Sequence, residues 1–182
     1  MERIIEDLEK DLMSIVEGKP LKTLRKELGD EVNIRALRII VYTLQWTSVG
    51  YQSALRLAGM KLGRRMGENS ERTELSLVLE EIKKIIEGLR EGKVEIEIMP
   101  ELKGAQLKIY ESSLVAEVPN VLQKLCFFEE GFIEGYFDGV ITKKGPIAVA
   151  GAEGSISKSK VSCEEERCVG LGDDFCGFLI KF

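Results

Sequence analysis

The residues best suited to chemistry stand near the end of the chain, in CEEERCVGLGDDFC at positions 163–176. Cys163, Cys168 and Cys176 lie there; the remaining cysteine, Cys126, heads the apolar run CFFEEGFIEGY. Cys168 and Cys176 flank VGLGDDF, in which Gly170, Gly172, Asp173 and Asp174 are turn formers. The two strands around that turn fold back on each other and bring both cysteines to one end of a hairpin. Thiols in such a place either fill a core, because free cysteine is among the most buried residue types, or form half of a metal site. Tetrahedral zinc takes four ligands and thiolates suit it. Cys126 would raise the sulfurs to three, leaving the fourth position to Cys163 or to a carboxylate of Glu164, Glu165 or Glu166. Strand alternation places Glu164 and Glu166 on the side of Cys168. Glu165 would need a bulge or an irregular strand end.

Histidine is absent, which excludes Ser-His-Asp and Cys-His nucleophilic centres, HExxH zinc enzymes and histidine-ligated haem. Neither GxGxxG nor a P-loop signature occurs. The net charge of −5 and pI of about 5.1 oppose the basic stripe that nucleic acid requires. The one basic cluster, Arg56, Lys61, Arg64 and Arg65, reads as a solvated helix face. No apolar run approaches the roughly 18 residues that span a bilayer. The N-terminal MERIIEDLEK is acidic and amphipathic, unlike a signal peptide. A cytoplasmic protein with reduced thiols is expected.

The elements that must position these residues follow from periodicity. At 182 residues the chain suits one domain with a sizeable core and a short helical appendage. Ile4, Ile5, Leu8, Leu12, Ile15 and Val16 predict a helix over 2–17, stopped by Gly18 and Pro20. A short helix is expected over Leu21–Leu28, then one capped by Asp30 with Val32, Ile34, Leu37, Ile40, Val41 and Leu44 inward. In residues 48–67, Gly59, Gly63 and Gly67 fall four apart on one ridge. Each costs about 1 kcal/mol against alanine in a helix, so something must pack close to that backbone. Thr73 opens another helix, with Leu75, Val78, Leu79, Ile82, Ile85, Ile86 and Leu89 apolar.

The period then becomes two. VEIEI at 94–98 and QLKIY at 106–110 read as half-buried strands. A long helix is expected from about Asn120, with Gln123 completing a capping box, to Ile141, apolar nearly all round and so buried on more than one side. Strands over 147–152, 160–168 and 177–182 complete an α+β fold, helices packed on an antiparallel sheet, with no βαβ repeat.

The pattern CFFEEGFIEGY, a gap, EERCVGLGDDFC and a final apolar strand resembles the 4-vinyl reductase-like domain family over roughly residues 30–182, leaving 1–29 as an N-terminal helical extension. Gly131, Gly135 and Tyr136 match that family's helix, and Gly172 and Asp173 its turn. The resemblance implies a fold shared with ligand-binding domains of bacterial aromatic-compound sensors and with vesicle-tethering subunits. It also implies a zinc held by three cysteines and one glutamate, here Cys126, Glu165, Cys168 and Cys176. Such a zinc, with four protein ligands, has no open position and is structural. Cys163 has no counterpart and reads as a packed thiol.

The family name implies reduction of a vinyl group, which needs a hydride source for which no nucleotide motif is visible. A pocket for an apolar, hydrocarbon-like molecule is the implication we carry, with Trp46, Tyr51, Phe127, Phe128, Phe132 and Tyr136 as its candidate lining. The 182 residues hold no output domain of the kind the sensors carry, and the amphipathic first helix offers a homodimer surface. An assembly subunit, or an enzyme with perturbed polar groups in the cavity, are the alternative readings.

Overall fold

The computed structural model describes residues 2–99, 104–149, 155–157 and 161–182; the side chains of Arg3 and Trp46 also lie outside the described residues. The helices are α1 (Glu2–Val16), α2 (Ile34–Thr47), α3 (Tyr51–Asn69), α4 (Leu75–Gly88) and α5 (Phe127–Lys144). The strands are β1 (Lys93–Met99), β2 (Gly104–Tyr110), β3 (Ile147–Ala148), β4 (Ser155–Ile156), β5 (Ser162–Arg167) and β6 (Cys176–Lys181). Four strands form an antiparallel sheet in the order β1-β2-β6-β5, and β3 pairs with β4 apart from it. This is the expected α+β architecture.

One face of the sheet is the core face. Antiparallel partners point the same way, and the register sets Val94 beside Ile109, Leu107 beside Phe178 and Ala105 beside Ile180. All six are buried. Over this face lie α4, with Leu75, Val78, Leu79, Ile82, Ile85 and Ile86 buried, and α5, with Phe132, Ile133, Tyr136, Phe137 and Val140 buried. Several charged residues of α5 meet a partner on a neighbouring element. Arg56 of α3, for example, bonds Glu130 at 2.7 Å and Glu134 at 2.6 Å. Arg64 pairs with Glu68 and Asp138, and Arg65 with Glu9 of α1. Much of the basic cluster is thus committed to acidic partners within the chain.

Helices α3 and α5 run in the same direction and touch through their backbones. The Gly59, Gly63 and Gly67 ridge meets a second one, Gly131, Gly135 and Gly139. A Cβ on Gly63 would stand 2.1 Å from the Phe132 carbonyl oxygen, and one on Gly135 2.2 Å from that of Met60. The expected close approach to the first ridge is therefore met by a matching set on α5. Gly139 falls four residues after Gly135, and that spacing is the signal that could have located it.

Four expectations need correction. Leu21–Leu28 is not a helix. Asp30 does not cap α2 but turns back, its carboxylate accepting from the Leu24 and Arg25 amides at 2.8–3.1 Å. Asn33 caps α2 instead, accepting from Arg35 N. The face of α2 expected inward is outward: Val32, Ile34, Leu37, Ile40 and Leu44 are exposed and only Val41 packs against the core. Helix α2 is moored from its polar side, where Arg38 and Tyr42 donate to the Ser113 and Leu114 carbonyls. Finally, α5 starts at Phe127, not near Asn120. Asn120 Oδ1 accepts from Leu122 N at 2.9 Å, Leu122 takes a left-handed φ of 59°, and the amides of Val121 and Gln123 bond the Gly170 carbonyl. Residues 120–126 are spent on the terminal hairpin.

Candidate metal centre and adjoining cavity

Cys126 occupies the position just before α5. The β5–β6 hairpin closes through a single 3-10 turn, Val169–Leu171, and Gly172, whose φ of 94° is a left-handed conformation that glycine adopts without steric cost. Asp173 Oδ2 accepts the Cys168 amide at 2.9 Å, which locks the turn around that cysteine. Gly170 lies so close to Gln123 that a Cβ there would meet its carbonyl oxygen at 2.5 Å. The turn and the segment leading to Cys126 are therefore held as one unit.

The ligand atoms of Cys126, Glu165, Cys168 and Cys176 all lie within 4.8 Å of one another, and all four residues are buried. The Sγ atoms of Cys176 and Cys168 are 3.9 Å apart, those of Cys126 and Cys176 3.1 Å. Zn–S bonds of about 2.3 Å place two thiolates roughly 3.8 Å apart across a tetrahedron, so the group has the dimensions of a four-ligand cage. Glu165 reaches it because β5 carries a bulge between Glu165 and Arg167. The extra residue shifts the parity, so Glu165 and Cys168 share the inner side despite their odd separation. Glu165 sits opposite Phe178, and Cys163 opposite Ile180, both on the core face. Counting across from those apolar partners, not along from Cys168, would have found the glutamate. Its amide donates to Glu130 Oε2 at 3.2 Å, and Glu130 is itself held by Arg56.

The donor set fits a divalent cation. Glu165 Oε2 accepts the Cys126 amide at 3.3 Å, while Oε1 is buried without a hydrogen-bond partner among the described residues. Burial, with Cys168 beside it, pushes the Glu165 carboxyl up to about 8. Hydrogen bonds from Cys126 and Cys176 draw the Cys168 thiol far below its ordinary value, and bonding to Cys168 holds Cys126 well above its own. Four such groups cannot all ionise together without a cation. This cluster could hold a metal ion. Cys163 is buried outside it, near Glu130, Glu134 and Arg56.

A cavity of about 270 Å³ opens between α1, α3, α4 and α5, lined by Leu12, Ile15, Leu62, Ile85, Phe128 and Phe132 among others. Of the six aromatic residues expected to line a pocket, the structure brings Phe128 and Phe132 to this cavity. Tyr51 lines a separate cleft beside Tyr42 and Gln123, and Phe127 a surface depression next to Cys163. Tyr136 is core: it is fully buried and donates to Glu81 at 2.9 Å. Trp46's side chain lies outside the described residues. The sequence reading missed Glu129 and Glu91, which also line the cavity. Glu129 is 3% exposed, and burial followed by the nearby Glu91 carboxyl holds its own carboxyl well above 4.5. Because the folded value is raised, this carboxyl costs no stability below its unfolded value and lowers stability as pH rises towards the folded one. In ligand-stripped protein, Glu129→Gln is expected to flatten that decline, gaining about 1.4 kcal/mol for each unit of the raise it removes. Melting curves of both proteins from about pH 5 to about pH 8 check this, and parallel profiles would contradict it.

With fold and site described, the known proteins can be compared. No protein-family model matches the chain. An uncharacterized protein of Methanocaldococcus jannaschii is 26% identical over 157 residues, covering 86% of this chain and 81% of its own length. A second from that organism is 25% identical over 175 residues, covering 96% and 88%. Among solved structures, the phenol-responsive sensory domain of the transcription activator PoxR with phenol has a TM-score of 0.62 at 16% identity, covering 94% of this chain and 89% of that one. A vinyl-4-reductase family protein from Methanocaldococcus jannaschii has a TM-score of 0.52 at 15% identity, covering 100% and 97%. The chain thus has the fold of these domains.

Proposed function

We propose that the chain is a small-molecule-binding domain whose terminal hairpin is stapled by a structural zinc. The observation that carries this reading is the apolar cavity of about 270 Å³, close to the 300–1,000 Å³ typical of ligand pockets. The phenol-responsive sensory domain of the same fold, solved with phenol, supports it. In this reading Cys126, Glu165, Cys168 and Cys176 hold the zinc, and residues 30–182 form the binding domain. Residues 1–29 supply α1, which packs on α3 and α4 and closes one side of the cavity. Zinc here supplies charge neutralisation and a cross-link between hairpin and helix, not a reaction site. The raised Glu129 carboxyl is what an enzyme reading also expects, but an acid with no basic partner in an apolar wall is first a ligand contact.

A second reading, assembly through a homodimer, rests on α2. Leu37, Ile40 and Leu44 form an exposed apolar stripe of the kind that marks an interaction surface. No described helix is long and apolar enough to cross a membrane.

Native mass spectrometry of freshly purified protein tests both readings. One zinc and one small molecule per chain are expected, and a subunit count of two if α2 is a dimer face. Leu62→Trp, which fills the cavity from α3, is expected to remove the small-molecule mass and keep the zinc. A Leu62→Trp protein that retained the same bound molecule would refute the cavity as the binding site.

A further inference from the structure

The cavity is apolar except for its acids. Glu129, in the first turn of α5, is 3% exposed, and no amide, hydroxyl or basic group among the described residues donates to its carboxylate oxygens; its side-chain partner is the Glu91 carboxyl, with which it can share a proton. Glu91, just beyond α4, lines the same space, as does Asp11 of α1; none of the lining residues is basic. An ion taken out of water costs several kcal/mol unless it is paired, and buried charges are normally paired or hydrogen-bonded. This chain follows that rule elsewhere. Glu81, equally deep, accepts from Ser70, Tyr136 and Arg72. Two other carboxylates with a buried oxygen outside any hydrogen bond are accounted for: Glu9 is ion-paired with Arg65, and Glu165 belongs to the cysteine cluster. Glu129 is left with an apolar cavity in front of it and a second carboxyl beside it.

Within the ligand-binding reading above, we infer that the cavity takes a small apolar amine, its protonated nitrogen seated on Glu129 and Glu91 and its hydrocarbon body against Leu12, Ile85, Phe128 and Phe132. An ammonium brings three donors and one positive charge to two acceptor groups. A hydroxyl brings one donor and no charge, and a carboxylic acid is repelled. The cavity volume of about 270 Å³ admits a short alkyl or arylalkyl body rather than a long chain. The first-turn position of Glu129 also favours its charged form, because amide dipoles point at it.

The test is calorimetric titration of the zinc-loaded protein with hexylamine, hexanol, hexanoic acid, phenethylamine and phenol. The amines are expected to bind on the order of 30-fold or more tightly than the matched alcohols, as a desolvated charge pair requires, and the acid not at all. Glu129→Gln should weaken the amines by a similar factor, leave hexanol within about twofold, and melt no lower than the parent, since it removes a buried charge. If hexanol or phenol binds as tightly as the amine, or Glu129→Gln binds the amine as the parent does, the amine assignment is wrong while the cavity remains a ligand site. If none of the five probes binds, the ligand-binding reading fails and the assignment with it.

Discussion

Replacing Cys126 or Cys168 by serine is expected to take bound zinc from one ion per chain to none and to lower the melting temperature by on the order of 10 °C. The four grouped residues come from three places: the start of α5, the bulged end of β5 with its turn, and the first residue of β6. A metal ion there adds a cross-link to segments otherwise joined by the β5–β6 pairing, the turn around Gly170 and the bonds of Glu165 to Glu130 and Cys126. Losing one ligand leaves the remaining thiols and the Glu165 carboxyl, pushed up to about 8 by burial and Cys168, confined without a cation. A loss of several kcal/mol follows, and in a domain of this size each kcal/mol moves the midpoint by about 2–4 °C. Cys163→Ser is the control. Cys163 is just as buried but lies outside the group, so that variant should keep its zinc and melt within a few degrees of the parent. Metal analysis and calorimetric melts decide the matter. One zinc retained by both Cys126→Ser and Cys168→Ser, with unchanged midpoints, would show that the cluster is not the metal site.

What could be read ahead of the structure, and what could not, divides along physical lines. The Cys168–Cys176 hairpin was legible because turn residues act locally: Gly172 must be left-handed, and Asp173 bonds the Cys168 amide within five residues. Glu165 was illegible by alternation from Cys168 because the bulge, which breaks the count, is a property of the β5–β6 pairing; only the resemblance selected it. Leu21, Leu24 and Leu28 recur at helical spacing, yet a helix of eight residues is marginal without a surface to cover. Leu24 and Leu28 have none, Leu21 reaches only the rim of the cavity, and all three are exposed. The inward face assigned to α2 failed for the same reason: amphipathicity says that a face wants cover, not that this chain provides it. Glu129 sits in FFEEGF beside Glu130, and nothing local separates the two. Tertiary contact does: Glu130 meets Arg56, whereas Glu129 points into a space walled by α1 and α4.

Gly63→Ala and Gly135→Ala are each expected to cost more than about 3 kcal/mol, and the pair together to abolish cooperative folding. At each of six glycines, three on α3 and three on α5, an added Cβ would stand 2.0–2.2 Å from a backbone carbonyl oxygen of the other helix. Overpacking a core usually costs about 1–3 kcal/mol because side chains rotate away. Here the obstacle is backbone, so a whole helix must move. The local gain of about 1 kcal/mol from replacing a helical glycine by alanine does not offset that. Gly88→Ala separates the two effects. Its Cβ would also be tight, 2.2 Å from an atom, but the atom is Ile15 Cγ2 at the end of a side chain. That variant should melt within a few degrees of the parent. The consequence reaches the site because α5 carries Cys126 at its head and Glu129, Phe128 and Phe132 along its first turns, while α3 carries Leu62 on the far wall of the cavity. Pushing the helices apart by a methyl group must open the cavity and strain the cysteine cluster at once. Gly135→Ala is therefore expected to lose zinc affinity and ligand affinity together with stability, although Gly135 touches neither. A Gly135→Ala protein that melted like the parent and held zinc as tightly would mean that the two helices are free to separate, and the glycine contact would not be what positions the site.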